Sequence, residues 1–223
     1  YKYTYQRLTN DWNGTRELRQ MIETLNTLRA AAAMSGNYSA LRNYFMTTFD
    51  YQKLLDYIAI RNWSQPWDDQ FHNHFLYRRL GDGKWLLIPQ DKDREFGEHF
   101  GWSPQSTGKS FYMGEQGDMD NRNGSWNHIK DGFIKSFRAE ILARIAELDA
   151  NGVLNPTTVK AKIDEAAATF SVTDYNASPA ALPCSLAGEL MPMKVWADCR
   201  HQDVLDAAAS AKCAGSTCGL KAD

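Results

Sequence analysis

The chain has 223 residues, of which 43% are hydrophobic and 23% are charged, and its formal net charge at pH 7 is −2. This composition is typical of a folded globular protein, and the small net charge argues against a nucleic-acid-binding protein, which is usually basic. No apolar run approaches the about 20 residues that cross a bilayer, so we expect no membrane span. The chain begins with Tyr1 and not with methionine, so we expect a processed, truncated or incomplete product.

Two amphipathic helices are predicted in the first third of the chain. The first helix starts at Thr15, which can cap it, and its apolar residues fall at helical spacing: Leu18, Met21, Ile22, Leu25 and Leu28. The second helix begins after Asp50, carries Leu54, Leu55 and Ile58 on its apolar face, and ends near Arg61. A polar loop rich in aromatic residues follows it at 62–74.

A β-hairpin is predicted in the middle of the chain. Residues 75–80 and 84–88 are strand-like runs, and Gly81-Asp82-Gly83 between them is a typical hairpin turn. A long loop rich in Gly, Ser, Asn and Asp follows at 94–126, and loops of this length in a compact domain are often functional.

The last part of the chain is predicted to be helical again. Apolar residues at helical spacing run from Ile129 to Ile145, and this helix ends near Gly152. Asn155 and Pro156 open another helix, and a further one covers about 193–208. The second of these helices carries Val159, Ile163 and Phe170. The predicted fold class is therefore α+β and predominantly helical, with a small central β-hairpin.

Asn-x-Ser/Thr sequons, which accept N-glycans in secreted proteins, point to an extracellular location. We expect N-glycans at these five positions: Asn13, Asn37, Asn62, Asn123 and Asn176.

Four cysteines also point outside the cytosol, because all lie in the last forty residues. An even number of cysteines in an irregular tail suits two disulfides formed in an oxidising compartment. A zinc site is a weaker interpretation, since no CxxC pair exists and only His201 lies close to a cysteine. The cysteines are Cys184, Cys199, Cys213 and Cys218.

Residues 67–97 carry the candidate chemistry. Phosphoryl transfer needs a carboxylate that orients the acceptor hydroxyl and takes its proton, together with an amide and a second carboxylate that hold Mg²⁺. Protein kinases place four residues between the base Asp and the metal-binding Asn, and Asp68 and Asn73 have this spacing. The hairpin then leads to Asp91 and Asp93, so the order predicts a site for Mg²⁺ and ATP. On spacing alone, turn caps and a solvated charge cluster are somewhat better explanations of these residues than a catalytic site.

The same segment resembles the core motif of the CotH (spore-coat protein H) family of atypical protein kinases. That motif contains, in order, Asn-Trp-Asp, a His-Asn pair followed by aromatic residues, a Gly-Lys-Trp hairpin and Pro-x-Asp-x-Asp-x-x-Phe-Gly. The flanking helices also resemble those of the family, so the resemblance covers most of the chain. The matching residues are Trp67, Asp68, His72, Asn73, Phe75, Tyr77, Gly83, Lys84, Trp85, Pro89, Asp91, Asp93, Phe96 and Gly97.

The resemblance implies a role for each of four side chains. Asp68 would be the catalytic base, and Asn73 and Asp91 would bind Mg²⁺ beside the ATP phosphates. Asp93 would complete the nucleotide site as a supporting or second metal carboxylate.

The resemblance also implies a domain organisation. Residues 1–180 would form the C-terminal lobe of a kinase-like domain, and residues 181–223 a C-terminal helix and a cysteine-containing tail. Residues 1–15 are too few for the N-terminal lobe that normally covers the nucleotide, so we expect that lobe to be missing from this chain.

The function implied is that of a secreted kinase which transfers the γ-phosphate of ATP to Ser or Thr of extracellular or surface proteins. Two departures leave an alternative open. Gln90 and Lys92 stand where the family usually has a tryptophan and an aliphatic residue, and these changes favour a catalytically inactive glycoprotein with a structural or adhesive role at the cell surface. A metal hydrolase is a third interpretation, because Asp68, Asp69, His72 and His74 lie within seven residues.

Overall fold

The computed structural model describes residues 14–64, 66, 69, 73–92, 96, 127–169, 171, 173 and 186–205. Within these residues it contains seven α-helices and one two-stranded antiparallel sheet, so the prediction of a predominantly helical α+β fold with one hairpin is confirmed. The elements are α1 (Gly14–Ser35), α2 (Ser39–Thr48), α3 (Tyr51–Ser64), β1 (His74–Arg78), β2 (Trp85–Pro89), α4 (His128–Ser136), α5 (Arg138–Ala150), α6 (Pro156–Ala167) and α7 (Leu186–Leu205).

The chain divides into two compact units. Among the described residues, the first unit contains α1, α2, α3 up to Ile58, Asp69, the hairpin, α4 and the start of α5. The second contains the remainder of α3 and α5, Phe96, α6 and α7. The predicted domain boundary after residue 180 lies outside the described residues and stays a prediction.

Aromatic rings form the core of the first unit. Phe45 of α2 lies 5.3 Å, between ring centroids, from both Phe49 and Phe133. Phe137 lies 4.6 Å from Phe133, and the guanidinium of Arg42 covers its ring at 4.3 Å. The four phenylalanines are fully buried, and each such side chain stabilises the fold by about 1.5–3 kcal/mol.

The hairpin pairs its strands in a register that places Phe75 opposite Ile88 and Tyr77 opposite Leu86. The predicted turn is confirmed, and of its two glycines only Gly83 has a positive φ, +69°, which a residue with a Cβ rarely adopts. Arg79 holds the turn by pairing with Asp82 and with Asp50. Its hydrogen bond lowers the pKa of Asp82 to about 2.

The predicted helix from Ile129 to Ile145 is two helices, α4 and α5, which meet at Phe137. Phe137 has φ −129° and ψ 32°, outside the α-helical region, and its ring is buried in the aromatic core. A single helical spacing could not reveal this break, because the apolar residues on both sides keep the same period. The N-cap of α4 is Asn127, whose side chain accepts hydrogen bonds from the backbone N–H groups of Ile129 and Lys130.

In the second unit, the end of α3 is capped by a buried arginine of α7. Arg200 donates hydrogen bonds to the backbone carbonyls of Asn62, at 2.6 Å, and Trp63, at 3.2 Å. These carbonyls belong to the last turn of α3 and have no partner within the helix, so a cation beside them is favourable. Asn155 caps α6 through the N–H of Thr157, as predicted, and Pro156 occupies the first turn.

Several predicted boundaries are wrong by a few residues. The helix α1 begins at Gly14, so Thr15 lies inside its first turn and is not the N-cap. The aromatic-rich loop was predicted from residue 62, yet α3 continues to Ser64 because Trp63 is buried there. The helix α6 ends at Ala167, before Phe170, and α7 begins at Leu186, seven residues before the predicted start.

The helix α2 was not predicted at all. Its signals are present but short: Asn37 accepts a hydrogen bond from the N–H of Ser39 at 2.9 Å, and Leu41 and Phe45 are buried one turn apart. Two buried apolar residues in ten are too few for a clear helical period.

The structure describes the asparagines of two of the five sequons, and these two differ in solvent exposure. Asn37 is exposed between α1 and α2, whereas Asn62 is 0% exposed inside α3. The prediction of a glycan at Asn62 is therefore wrong for the folded chain, because a glycan needs a solvent-accessible side chain. Asn13, Asn123 and Asn176 lie outside the described residues.

The cysteine prediction is largely outside the described residues, which include only Cys199. This residue is buried in α7, and Cys184, Cys213 and Cys218 are not described, so the two disulfides stay a prediction. None of the described helices is both long enough and apolar enough to cross a membrane.

The buried cap of α4 leads to a stability prediction. We expect Asn127→Ala to lower the free energy of unfolding by about 2 kcal/mol, because Asn127 is 2% exposed and water cannot replace the lost hydrogen bonds. Asn155→Ala, the matched cap of α6, should cost about 1 kcal/mol because water reaches that helix end. Urea denaturation of the two variants measures this, and equal losses would contradict the proposed importance of burial.

His128 at the start of α4 leads to a prediction about pH. Burial, and after it the nearby positive charge of Arg29, lower the pKa of His128 from 6.5 to about 4. Between these two pH values the unfolded chain binds more protons than the folded chain, so the free energy of unfolding should fall as the pH is lowered from 6.5 toward 4. In His128→Gln the part of this pH dependence that comes from His128 should be absent. Urea denaturation of both proteins from pH 7 to pH 4.5 measures the difference. Equal pH slopes in the two proteins would refute it.

Candidate functional site

The structure describes two of the four predicted site residues. Asn73 lies directly before β1 and Asp91 two residues after β2, so the hairpin brings them together. Asp68 and Asp93 lie outside the described residues, as does His72. The site as a whole therefore stays a prediction, while the relation of Asn73 to Asp91 is part of the structure.

Asn73 holds the segment after β2 through two hydrogen bonds. Its side-chain amide nitrogen donates to the backbone carbonyl of Asp91 at 3.0 Å. The backbone carbonyl of Asn73 accepts from the N–H of Gln90 at 3.0 Å. No hydrogen bond or ion pair from a described residue reaches the carboxylate of Asp91, which is exposed. The bonds on the backbone thus fix Asp91 and leave its carboxylate toward solvent.

Both residues adopt an uncommon backbone conformation. Asn73 has φ +59° and Asp91 has φ +49°, in the left-handed region that Asn and Asp tolerate better than most residues. The one other positive φ at a non-glycine among the described residues is that of Phe96, +56°. All three belong to the predicted motif, and strained backbone of this kind is concentrated at functional sites.

Beside this pair lies a buried carboxylate, that of Asp69. It is 0% exposed and accepts a hydrogen bond from the hydroxyl of Tyr57 on α3 at 2.5 Å. Lys130 of α4 pairs with the other carboxylate oxygen at 2.7 Å and also donates to the Asp69 backbone carbonyl. Lys92, next to Asp91 in the chain, pairs with the same oxygen as Tyr57. Three separate segments therefore converge on one side chain.

Lys130 is the central cation of this network. Its side chain is 0% exposed, and its ammonium lies 5.2 Å over the ring of Tyr57 and 3.3 Å from His74 Nδ1. The other ring nitrogen of His74 lies 3.4 Å from the side-chain nitrogen of Asn127. The network thus continues from α4 and its cap to the first residue of β1. A buried ion pair of this kind is costly to break on one side, by about 3–5 kcal/mol.

In the second unit, Phe96 of the closing motif has a well-defined position. Its ring packs edge-on against Trp63 at 6.2 Å and against Trp196 at 5.6 Å, and these two tryptophans lie 5.5 Å apart. Its N–H donates to the carbonyl of Ser64 at 3.0 Å. The end of α3 and α7 therefore hold the phenylalanine of the motif.

The structural roles of Asp69, Tyr57 and Lys130 were not predicted from the sequence. A signal for Lys130 was available: Phe133, Ile134 and Phe137 follow it at i+3, i+4 and i+7, so the helical period places this lysine on the apolar face. A buried lysine needs a buried anion, and the Asp pair in the preceding loop was the natural source. The burial of Tyr57 had no comparable signal.

The described donors fit a hard cation such as Mg²⁺. Mg²⁺ binds carboxylate and amide oxygens, and Asp91 and Asn73 offer one of each at neighbouring positions. The hydrolase interpretation loses support here, because Asp69 is engaged by two lysines and both ring nitrogens of His74 face other side chains. Within the described residues, no three His, Cys, Asp or Glu side chains form a metal-binding group.

An open groove lies between α3 and β2 in the first unit, with a volume of about 510 Å³. Tyr57, which binds Asp69, lines one wall, and Pro89, two residues before Asp91, lines the other. Lys53 and Asp56 add charges of both signs.

The chain matches a known protein family. A family model described as CotH kinase protein matches residues 1–201. Neither the curated proteins nor the solved structures include a match to the chain.

The conformation of Asn73 leads to a prediction that separates strain from hydrogen bonding. Asn73→Gly loses the side-chain hydrogen bond to the carbonyl of Asp91 and should cost about 1 kcal/mol. Asn73→Ala also forces an alanine to a positive φ, which adds roughly 1 kcal/mol. We therefore expect the alanine variant to be the less stable of the two in urea denaturation. The opposite order would mean that the backbone relaxes out of the left-handed region.

Proposed function

The chain belongs to the CotH kinase protein family, and from this we propose that it is an extracellular, Mg²⁺-dependent protein kinase. It transfers the γ-phosphate of ATP to Ser or Thr of secreted or surface proteins. Residues 1–180 form the kinase-like C-terminal lobe, and residues 181–223 form a helix and a disulfide-containing tail.

One observation carries the proposal: Asn73 and Asp91 are held together by a side-chain-to-backbone hydrogen bond of 3.0 Å, and both have positive φ. The first is the family's metal-binding amide and the second its metal-binding carboxylate. A chain that needed only a stable hairpin would gain nothing from left-handed residues at both of its ends. Such strain is expected where a side chain must be aimed at a ligand.

The proposed chemistry assigns a task to each side chain. Asp68 orients the acceptor hydroxyl and takes its proton. Asn73, Asp91 and Asp93 hold Mg²⁺ and the nucleotide, and the metal supplies neutralisation of the phosphate charge. Lys130 and Lys92 are engaged by Asp69 and serve the architecture around these groups.

The acceptor is proposed to be a polypeptide that binds in the groove between α3 and β2. The groove is open, which suits a protein substrate better than a small molecule enclosed in a cavity. It passes Tyr57 and reaches Pro89, so a bound segment would end beside Asp91. Lys53 and Asp56 along the wall would then select acceptors with charges of both signs.

The proposed extracellular location rests on the sequons and the cysteines. The Asn37 sequon is exposed in a turn between two helices, where a glycan can project into solvent. The cysteine cluster in the tail suits an oxidising compartment.

A second candidate function, binding at a cell surface without catalysis, is favoured by one face of the hairpin. Phe75, Tyr77 and Ile88 are 39%, 45% and 42% exposed, and the strand register places them on the same side together with Leu86. Exposed apolar surface of this kind is typical of binding sites. An inactive glycoprotein would keep this face without needing the carboxylate of Asp91.

The test is the substitution Asp91→Asn. We expect Mg²⁺-dependent incorporation of labelled phosphate into an acceptor protein to fall at least about 100-fold, as when one electrostatic group of an active site is lost. The free energy of unfolding should change little, since asparagine also tolerates positive φ. Asp198→Asn, which removes an exposed carboxylate of α7, is the matched control and should retain activity.

Two results would overturn the proposal. Undiminished phosphate incorporation in Asp91→Asn would exclude the metal role of this side chain. Absence of phosphotransfer in a longer protein that includes an N-terminal nucleotide-covering lobe would exclude the kinase proposal and favour the surface-binding function.

A further inference from the structure

We propose that Lys92 is a positioning residue: its ion pair with the buried Asp69 fixes the peptide that carries Asp91, and thereby sets the affinity of the candidate metal site. The inference rests on the proposed function in one respect, the assignment of Asp91 as a metal ligand. It goes beyond that function because the family pattern usually has an aliphatic residue at this position.

Two contacts hold the chain on either side of the peptide group that joins Asp91 to Lys92. The peptide group between Asp91 and Lys92 has its carbonyl held by the Asn73 amide at 3.0 Å. The side chain that follows this group, Lys92, is held by Asp69. The peptide is thus fixed at both ends, and a rotation of this peptide, which would turn the backbone that carries the Asp91 side chain, must break at least one of these contacts.

Asp69, to which Lys92 binds, is itself held rigidly. Asp69 is 0% exposed, and it is held independently of Lys92 by Tyr57 at 2.5 Å and Lys130 at 2.7 Å. Its position therefore does not depend on Lys92. A contact made to such a rigid group transmits order to its partner, whereas a contact between two surface side chains does not.

The charge of Asp69 is balanced without Lys92. Lys130 already neutralises Asp69, and it is the fully buried member of the pair. Lys92 is the second lysine on the same carboxylate, and its side chain is 21% exposed. Because charge neutrality does not require Lys92, removing it leaves no unpaired buried ion. Loss of Lys92 should therefore affect the orientation of Asp91 more than the stability of the fold.

Electrostatics and positioning predict opposite signs for the effect of Lys92 on a bound cation. As a nearby positive charge, Lys92 would repel a divalent metal, so its removal would tighten metal binding. As a positioning residue, it maintains the geometry of a ligand, and loss of such a partner typically weakens metal affinity by about 10- to 100-fold. The sign of the change therefore decides between the two roles.

The experiment measures the binding of Mn²⁺ alone to the whole chain, from the electron paramagnetic resonance signal of the free ion. We expect Lys92→Met to weaken Mn²⁺ binding by about tenfold, while the midpoint of urea denaturation stays close to that of the parent. Lys92→Arg keeps a cation that can reach Asp69 and should restore part of the affinity. Lys162→Met, which removes an exposed lysine of α6, is the matched control and should bind as the parent does.

The outcomes separate this inference from the function on which it rests. If Asp91→Asn loses Mn²⁺ binding while Lys92→Met binds as tightly as the parent or more tightly, the positioning role is overturned and the metal site stands. If Asp91→Asn binds Mn²⁺ as the parent does, or if the parent binds none, both the metal site and the positioning role are overturned. Equal loss of stability in Lys92→Met and Lys130→Met would also overturn it, since Lys92 would then be part of the structural ion pair.

Discussion

The buried carboxylate of Asp69 is the constraint on which the first unit depends. An ionised carboxylate without solvent is tolerated only with compensating charge and hydrogen bonds, and these come from Tyr57 on α3, Lys130 on α4 and Lys92 after β2. The helices and the hairpin cannot change their positions separately without exposing or abandoning this group. A pair of this kind specifies one arrangement of the surrounding elements more than it adds net stability.

The two candidate metal ligands follow from this arrangement. The antiparallel register pairs His74 with Pro89, so Asn73 faces Gln90 and its side chain reaches the next residue, Asp91. The positive φ values of Asn73 and Asp91 place the side chains where a regular strand would not. These residues of the family's motif therefore lie in one local structure, in which the two paired strands bring the residue before β1 close to the segment after β2.

The elements with a strong period were predictable, and the contacts between distant segments were not. The hairpin could be predicted because the Gly81-Asp82-Gly83 turn and the strand-like runs on either side of it are local signals, and α6 because Asn155 and Pro156 mark its start. The break at Phe137 and the helix α2 depend on how aromatic rings pack in three dimensions, which a one-dimensional period does not contain. At the site, the motif indicated Asn73 and Asp91. The use of Asp69 required knowing that Lys130 is buried, a property of the assembled core.

The burial of Asn62 has a consequence for how the chain can be made. Oligosaccharides are attached to sequons on the nascent chain, before side chains are enclosed, and a bulky sugar on Asn62 would prevent α3 from reaching Arg200. In a host with N-glycosylation, folding and modification therefore compete for the same asparagine, and every molecule modified first is lost to the native state. A bacterial host, or a serine-to-alanine change at Ser64 that removes the sequon, ends this competition.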